Sequence, residues 1–476
     1  MIDIKQIREN PQRFKDAAKA KGFDVDIDRL LEVDSVLKQA KRKLQDVSTE
    51  INSIGKKVPS LPEGERQRAI EQLKELKQKV AELSKSTKSC QDWINKTLLL
   101  VPQPADDDVP IGKDDTENIE IRKEGKVRQF DFEPKDHVQL GLALGIIDIE
   151  RGVKLAGTRN YILRGDGALL HWAVLQFAMD YMVGKGYVPM SVPVLIKDGA
   201  MRGTGFFPGF EDQTYRTDPD QPDFTTKDEV MTSSFSQIYR SDEDQEDQLV
   251  LMENEAIRNE TIAESVFNPL DKLNLAGTAE VPLTAYHMGE ILKAEELPLK
   301  YVALSSCFRR EAGAAGKDTY GLYRIHQFDK VEQVVICKNS VEESNKFHEE
   351  ILDNAEAVMQ QLELPYRVVN VCTGDLGRGQ AKKFDIEAWM PSRGNYCETH
   401  SASKLYDFQA RRMNLRYKDP VTKKNLFCHT LNNTVIASPR ILIPILELYQ
   451  NADGSVTIPK VLRPYMNGKE EIVKRK

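Results

Sequence analysis

The sequence predicts an α+β protein in which an N-terminal antiparallel α-helical coiled-coil arm precedes a larger domain of strands and helices. Three observations support this prediction: two heptad-spaced apolar seams near the N-terminus, a helix-breaking segment between them, and alternating strand-like and helix-like segments towards the C-terminus. The length of 476 residues is enough for about two or three domains. Charged residues make up 30% of the chain and hydrophobic residues 40%, as in a soluble globular protein with some long exposed helix.

The arm is predicted from apolar residues that repeat at alternating steps of three and four. The first seam comprises Leu30, Val33, Leu37, Ala40, Leu44, Val47, Ile51 and Ile54, and the second comprises Leu73, Leu76, Val80, Leu83, Thr87, Cys90, Ile94 and Thr97. Such spacing is typical of a coiled coil. Between the seams, residues 55–65 include Pro59 and Pro62, which interrupt helices. We therefore expect a helical hairpin over about residues 27–100, within an N-terminal domain of residues 1–110.

The outward faces of the arm are rich in lysine and arginine, with acidic residues between them. A solvated coiled coil explains this pattern without any ligand. The same faces could also lie along the phosphates of an RNA. The net charge of the whole chain is −7, which argues against a protein that coats nucleic acid with its entire surface but leaves room for one local basic stripe.

The cysteines and the apolar residues point to a cytoplasmic protein with no membrane partner. Six cysteines are scattered along the chain and none forms a Cys-x-x-Cys pair, so we expect neither disulfides nor a zinc site. No apolar run approaches the ~18 residues that span a bilayer. The first residues have neither a basic leader nor an apolar core, and so do not resemble a secretory signal.

The second domain is expected to comprise residues 111–476, entered through a proline-rich linker at residues 101–136. An acidic, polar stretch at about residues 213–268 is interpreted as an insertion that is peripheral or partly disordered. Further elements predicted from the pattern are helices over about 136–148, 166–185 and 441–450 and strands over about 187–195 and 407–417.

The segment from Ser305 to Glu332 is the most informative part of the chain. Strand-like stretches at residues 301–308 and 325–336 enclose a loop of small residues, and Arg309 follows the first strand directly. An ordinary hairpin with a charged tip is one interpretation. The alternative is a sheet face that presents a fixed cation and fixed carboxylates to a nucleotide phosphate and a small amine.

This whole segment resembles motif 2 of the class II aminoacyl-tRNA synthetases, in the form found in the seryl-tRNA synthetases. Other segments resemble that family in the same order: the helix and strand of residues 166–195 resemble motif 1, residues 277–283 the Thr-x-Glu serine loop, residues 398–401 the magnesium segment, and residues 430–440 motif 3. Each also has a structural explanation. Thr278 could cap a turn, and Ser438 with Pro439 could begin a helix.

The resemblance implies a class II synthetase domain with a mainly antiparallel sheet flanked by helices. It also implies a homodimer that activates L-serine with ATP and transfers the seryl group to serine tRNA, which the coiled-coil arm would bind. Arg309 and Arg440 would be the catalytic residues. The serine pocket would comprise Thr278, Glu280, Arg309, Glu332, Asn432 and Thr434. ATP would be bound by Arg309, Arg310, Glu311, Ile325, His326, Gln327, Phe328, Glu398, Thr399, His400, Ser401 and Arg440, with Mg²⁺ on Glu398 and Ser401.

Three other functions compete with this one. A regulatory paralogue could keep the fold without aminoacylating. A class II ligase could use another amino acid or load a carrier protein. A plain coiled-coil scaffold would account for residues 30–97 and for nothing after them. The presence of Arg309, Glu332, Glu398 and Arg440 together favours the enzyme.

Overall fold

A computed structural model describes residues 1–217, 273–312 and 320–474. The chain divides into two compact units. The first comprises Met1–Asn118 and Val371–Lys382, and the second comprises Ile119–Asn370 and Lys383–Lys476. Of the predicted acidic insertion, only residues 213–217 fall within the described part of the chain.

We number the elements of the described residues in chain order. The helices are α1 (Ile4–Glu9), α2 (Pro11–Ala20), α3 (Ile27–Lys57), α4 (Glu63–Leu98), α5 (His137–Leu144), α6 (Ile149–Ala156), α7 (Asp166–Gly184), α8 (Asp198–Gly203), α9 (Glu280–Ala285), α10 (Val341–Gln361), α11 (Phe408–Met413) and α12 (Leu442–Leu448). The strands are β1 (Ile119–Glu124), β2 (Ile147–Asp148), β3 (Ile162–Leu163), β4 (Val188–Pro189), β5 (Leu195–Lys197), β6 (Leu273–Leu275), β7 (Ile291–Lys293), β8 (Leu299–Phe308), β9 (Gln327–Cys337), β10 (Tyr366–Asn370), β11 (Lys382–Met390), β12 (Asn395–Tyr406), β13 (Arg416–Lys418), β14 (Asn425–Phe427), β15 (His429–Ser438), β16 (Val456–Thr457) and β17 (Glu471–Ile472).

The predicted coiled-coil arm is confirmed as helices α3 and α4. They have 31 and 36 residues, or about 46 and 54 Å at 1.5 Å rise per residue. Every predicted seam residue is buried or half-buried. Across the pair, Lys41 Nζ donates to Gln91 Oε1 at 2.9 Å, and Gln72 Nε2 donates to Glu50 Oε1 at 3.3 Å. Because one partner's number rises as the other's falls, the two helices are antiparallel.

The break between the arm helices is shorter than predicted. Helix α3 continues through Gly55, and α4 begins again at Glu63. A single 3-10 turn, Val58–Ser60, joins them and contains Pro59. Pro62 is the N-cap residue of α4, where the absence of a backbone N–H leaves no helical hydrogen bond unmade.

Two buried charged groups fix the first unit internally. Asp34 in α3 accepts hydrogen bonds from Arg8 Nε at 2.8 Å and from Arg8 NH2 at 2.6 Å, which ties α1 to the arm. Lys21, after α2, is only 5% exposed. Its ammonium group donates to the carbonyl oxygens of Gly377 and Gln380 at 3.3 and 2.5 Å. Residues 371–382 therefore complete the environment of an N-terminal lysine.

The second unit is built on an eight-stranded sheet in the order β1-β10-β11-β12-β15-β9-β8-β4. The pairs β1–β10, β10–β11, β12–β15, β15–β9 and β9–β8 are antiparallel, and β4 and β8 are parallel. The predicted mainly antiparallel sheet is thus confirmed. Helices α7 and α10 pack on one face, where Val331, Val335 and Leu431 join the largest apolar core. The other face carries the polar side chains described below.

Several local predictions are wrong. Residues 407–417 form helix α11 and then β13, which belongs to a separate three-stranded sheet. Residues 408–410 are all buried, so the segment has no exposed side from which to recognise a helix. The predicted linker contains β1, an edge strand whose side chains are mostly exposed. Its only apolar residues are Ile119 and Ile121, which is too short an alternation to predict a strand. The strand expected at residues 187–195 is confined to β4 and the start of β5, and the helix expected at 136–148 ends at Leu144.

The apolar side of the sheet should govern the stability of the second unit. Val335 is fully buried, so Val335→Ala should lower the free energy of unfolding by about 2 kcal/mol, through lost burial and the cavity left behind. Val421 is 84% exposed, and the matched change Val421→Ala should alter stability by no more than about 0.5 kcal/mol. Denaturant midpoints of the two variants would test this, and equal losses would contradict the assigned core.

Candidate active site

A cavity of about 140 Å³ opens on the polar face of the main sheet. Strands β9, β12 and β15 contribute to its walls, as does the chain between β8 and β9. Its lining residues are Arg309, Glu311, Leu322, Tyr323, Arg324, Ile325, Phe328, Lys330, Glu398, Thr399, Ser401, Thr434, Ala437, Ser438 and Arg440.

Nine of the predicted site residues therefore meet in one place: Arg309, Glu311, Ile325, Phe328, Glu398, Thr399, Ser401, Thr434 and Arg440. Glu332 is outside the lining but contacts Lys330 and Thr434, which belong to it. The lining does not include Thr278, Glu280, Arg310, His326, Gln327, His400 or Asn432. Residues 313–319 of the predicted loop lie outside the described part of the chain.

Strand register explains why residues distant in sequence share this face. In the β8–β9 hairpin, Cys307 is opposite Phe328 and Ala303 is opposite Glu332. Side chains alternate between the two faces of a strand, so Phe328, Lys330 and Glu332 project to the same side. On the other edge of β9, Thr434 of β15 is directly opposite Glu332.

Arg309 is held at the end of β8 by main-chain contacts with His326. Its backbone N–H donates to the carbonyl of His326 at 2.9 Å, and His326 Nδ1 donates to the carbonyl of Arg309 at 3.0 Å. The guanidinium lies over the ring of Phe328, 5.2 Å from its centroid, and Nε donates to the carbonyl of Gly277 at 3.4 Å. In the described structure His326 thus positions Arg309 rather than facing the cavity.

The two residues that follow Arg309 differ in their surroundings. Glu311 adopts a left-handed backbone conformation with φ +51°. Its carboxylate is 3.6 Å from Arg324 Nε, a cation that the sequence analysis did not select. Arg310 is exposed, and its backbone N–H donates to the carbonyl of Gln213 at 2.9 Å.

A buried ion pair lies at the back of the cavity. Lys330 Nζ is 2.5 Å from Glu332 Oε2, and both side chains are less than a tenth exposed. Thr434 Oγ1 is 3.5 Å from the same oxygen. Lys330 was not predicted, because the first half of β9 contains several polar residues and nothing local distinguishes this lysine from them. Burial of this pair is stable only because each charge has a partner.

Glu280 of α9 is a second carboxylate beside this pair. Burial, and then the nearby charge of Glu332, raise the pKa of Glu280 to about 7. Gln409 Nε2 donates to Glu280 Oε1 at 2.8 Å. Thr278 is buried, and its Oγ1 accepts from the backbone N–H of Glu280 at 3.1 Å, so the structural role of Thr278 is a local turn cap. Two adjacent carboxylates that resist simultaneous ionisation would be stabilised by a bound cation.

Arg440 closes the opposite side of the cavity. Its NH1 donates to the carbonyl of Glu398 at 3.1 Å and is 3.8 Å from the carboxylate of the same residue. Its Nε donates to the carbonyl of Tyr323 at 3.3 Å, and the guanidinium lies 4.4 Å from the centre of that ring. Tyr323 was also missed, because nothing in its local sequence indicates that a distant arginine rests on it.

Glu398 is held in its ionised form. Desolvation of the carboxylate raises its pKa, but the positive charges led by Arg440 and Lys383 outweigh that effect, so the pKa of Glu398 lies below the usual range. Ser401 lines the same cavity. A carboxylate and a hydroxyl are hard oxygen ligands of the kind that suit Mg²⁺. Among the described residues, no group of three or more His, Cys, Asp or Glu side chains could form a metal site.

Three other predicted residues, His400, Asn432 and Gln327, lie outside the cavity lining. His400 is buried, and its Nε2 donates to the carbonyl of Val435 at 3.0 Å. Burial lowers the pKa of His400 to about 4, so the ring is neutral at pH 7. Asn432 is buried on β15, on the same face as Thr434. Gln327 is exposed at the start of β9.

Two family models match the N-terminal and the C-terminal parts of the chain. Residues 1–104 match a family model described as the seryl-tRNA synthetase N-terminal domain, and residues 266–449 match the tRNA synthetase class II core domain (G, H, P, S and T). A serine–tRNA ligase of Deinococcus radiodurans is 41% identical over 470 residues, covering 99% of this chain and 98% of that protein. One from Thermodesulfovibrio yellowstonii is 37% identical, covering 98% and 99%.

Solved structures agree over the full length. The crystal structure of seryl-tRNA synthetase from Pyrococcus horikoshii complexed with ATP matches with a TM-score of 0.82 and 35% identity, covering 100% of both chains. The cytoplasmic serine–tRNA ligase of Naegleria fowleri in complex with AMP matches with a TM-score of 0.80 and 28% identity, covering 100% of this chain and 99% of that one.

The raised pKa of Glu280 should affect stability in a definite pH window. The native state keeps a proton on Glu280 up to about pH 7, whereas the unfolded chain releases it near the ordinary value of 4.5. The stability of the wild-type protein relative to Glu280→Gln should therefore decrease as the pH rises from 4.5 to 7 and stay level above that. Denaturant unfolding of both proteins at several pH values would measure the difference, and a pH-independent difference would contradict the assignment.

Proposed function

The chain belongs to the seryl-tRNA synthetase family, and we infer from that membership that it is a serine–tRNA ligase, which activates L-serine with ATP and then esterifies serine tRNA. The observation that carries this function is the convergence on one cavity of Arg309, Arg440 and Glu398 beside the Lys330–Glu332 pair. Each group suits one part of the two substrates.

The nucleotide is proposed to lie between the two arginines. Arg309 would bind the α-phosphate and the serine carboxylate, and Arg440 would lie beside the γ-phosphate. Phe328 offers an aromatic face to adenine, as aromatic side chains do to bases. The remaining residues that we assign to ATP are Glu311, Ile325 and Thr399, which line the cavity. Arg310, His326, Gln327 and His400 lie outside the lining and would contribute by holding the neighbouring segments in place.

Mg²⁺ would be held by Glu398 and Ser401. The lowered pKa of Glu398 supports this proposal, since a metal ligand must be deprotonated. Mg²⁺ keeps several waters and takes substrate phosphates as its other ligands, so two protein oxygens are sufficient. When bound, the ion would neutralise phosphate charge.

The amino-acid pocket is proposed to lie at the carboxylate end of the same face. Glu280 and Glu332 would bind the α-ammonium group together with Thr278. Thr434 and Asn432 would enclose the serine hydroxyl. A pocket that forms hydrogen bonds with a hydroxyl rejects alanine strongly, because the pocket's own buried polar groups would be left unpaired.

Activation needs little covalent chemistry from the protein. An oxygen of the serine carboxylate attacks the α-phosphorus, the bond to the bridging oxygen breaks, and pyrophosphate leaves with that electron pair. Arg309 and Arg440 would orient the reactants and stabilise the charge that develops on the phosphoryl oxygens. The 3′-hydroxyl of the tRNA then attacks the carbonyl carbon of seryl-adenylate, and AMP is released.

The arm is proposed to bind serine tRNA. The following basic side chains of the arm are exposed: Lys38, Lys41, Arg42, Lys43, Lys56, Lys57, Arg66, Arg68, Lys74, Lys77, Lys79, Lys85 and Lys88. Such a projection can follow the phosphates and shape of an RNA without reading its bases. We propose residues 1–110 as the tRNA-binding domain, with the arm at about 27–100. The catalytic domain would then comprise residues 111–476, with an insertion at about 213–268.

A homodimer is supported by apolar side chains that the single chain leaves in contact with solvent. Leu142, Leu155, Trp172 and Val188 are 58%, 77%, 62% and 54% exposed. They belong to α5, α6, α7 and β4, close in sequence to the segment that resembles motif 1. Large exposed apolar side chains of this kind mark interaction surfaces when they are contiguous.

A cytoplasmic location is proposed because ATP and tRNA are cytoplasmic substrates and the six cysteines are all free thiols. No helix among the described residues combines the length and apolar content required to cross a membrane.

Glu332 should determine affinity for serine. Replacing Glu332 with Ala removes a charged hydrogen-bond partner, so the serine KM in ATP–pyrophosphate exchange should rise about 10- to 100-fold and discrimination among the twenty amino acids should decrease. The matched control is Glu350→Ala, which breaks another Lys–Glu pair (2.7 Å to Lys300) outside the cavity and should leave the serine KM unchanged. Unchanged exchange in the Glu332 variant would refute the pocket. Wild-type exchange driven best by another amino acid would refute serine as the substrate.

Removing the distal arm should separate the two half-reactions. Lys41 and Gln91 are neighbours across the hairpin, so a short glycine–serine linker can replace residues 42–90 without disturbing Asp34 at the base. Pyrophosphate exchange should remain near the wild-type rate, whereas charging of serine tRNA should fall below detection. Loss of both activities in a variant that still unfolds cooperatively would argue against a separate tRNA-binding arm.

A further inference from the structure

We propose that His137, together with Glu447, is a positioning residue that fixes Tyr323 and through it Arg440. Neither His137 nor Glu447 lines the cavity. The inference rests on the proposed function, because it concerns how one arginine of that site is kept in place.

Glu447 is a fully buried carboxylate in α12, the helix that follows Arg440. Four hydrogen bonds converge on it. The backbone N–H and Nδ1 of His137 donate to Oε1 at 3.1 and 2.7 Å. The hydroxyl of Ser392 donates to Oε1 at 2.7 Å, and the backbone N–H of Ser392 donates to Oε2 at 2.9 Å. These four donors satisfy the buried side chain of Glu447 and hold it firmly in place.

His137 also binds the chain just before β9, at Leu322. Its Nε2 accepts a hydrogen bond from the backbone N–H of Leu322 at 3.1 Å, so the proton of the ring must be on Nδ1, facing Glu447. Gly321 approaches the ring so closely that a Cβ there would lie 2.1 Å from Nε2, and its φ of +74° also favours glycine. The contact therefore constrains both the residue type and the backbone at this point.

The next residue reaches Arg440. Leu322 is fully buried, which leaves Tyr323 little freedom. The carbonyl of Tyr323 accepts from Arg440 Nε at 3.3 Å, and its ring lies 4.4 Å from the guanidinium. Arg393, adjacent to Ser392, lies 4.0 Å from the centre of the same ring. One buried carboxylate thus locates the segments that carry two guanidinium groups and the aromatic ring between them.

The critical variant is His137→Asn, in which the amide N–H can replace Nδ1 and keep the bond to Glu447, while the acceptor for Leu322 is lost. In serine-dependent pyrophosphate exchange, kcat/KM for ATP should fall about 10- to 100-fold, because a displacement of about 1 Å in a positioning group can produce a loss of this size. The serine KM should change less than about threefold. The matched control is His287→Asn, since His287 also bonds a carboxylate and a second partner (Glu290 and Tyr301, both at 2.7 Å) away from the cavity.

A double-mutant cycle tests the route through Tyr323. A Tyr323→Leu background removes the ring beside Arg440 and keeps only the carbonyl contact, so adding His137→Asn should lower kcat/KM for ATP less than it does in the wild-type background. Independent, multiplicative effects would overturn the proposal, as would equal losses in the ATP and serine parameters. Failure of the wild-type protein to exchange pyrophosphate with serine would instead refute the proposed function itself. Denaturant midpoints of all variants identify any variant that loses activity by unfolding. If His137→Asn is such a variant, the comparison is made with His137→Gln, which keeps an acceptor for the backbone N–H of Leu322 and should retain more activity than His137→Asn.

Discussion

The register of β9 between β8 and β15 is the constraint on which the polar face of the sheet depends. Glu332 is opposite Ala303 on one side and Thr434 on the other. A slip of one residue would turn Glu332 into the apolar core and bring Val331 to the polar face. The two long antiparallel ladders prevent that slip, and the apolar core under α7 and α10 penalises it. Strand pairing therefore determines the arrangement of the cavity more than any individual polar contact does.

Electrostatics then divide this face into two environments. Near Lys330 and Glu332, burial and carboxylate repulsion raise the pKa of Glu280, so that end favours an added cation. Near Arg440, positive neighbours keep Glu398 ionised and leave a net excess of guanidinium groups for anions. The same residue type thus has opposite pKa shifts at the two ends of the site, for Glu280 in α9 and for Glu398 in β12. An amino acid has an ammonium group at one end and a carboxylate at the other, and such an uneven face can orient it before any reaction occurs.

Features governed by local periodicity could be predicted from the sequence, and features created by distant partners could not. The arm seams repeat within single helices, and the β8–β9 hairpin brackets its own loop, so both were visible in the residue pattern. Residues 408–410 are buried on every side and offered no period to recognise. Strand β1 was missed for the opposite reason, since its side chains are mostly exposed and only Ile119 and Ile121 are apolar. His137 and Glu447 are 310 positions apart, and only the fold brings their side chains together.

The inclusion of residues 371–382 in the first compact unit has a consequence for how the chain matures. Lys21 donates to carbonyl groups of Gly377 and Gln380, which are synthesised more than 350 positions later. Until the ribosome has released that stretch, the lysine has no native acceptors there, and an ammonium without acceptors is costly to bury. The helical arm can form early from neighbouring contacts, whereas the base that carries it must wait for most of the polypeptide. Completion of the N-terminal part is thereby tied to nearly complete synthesis.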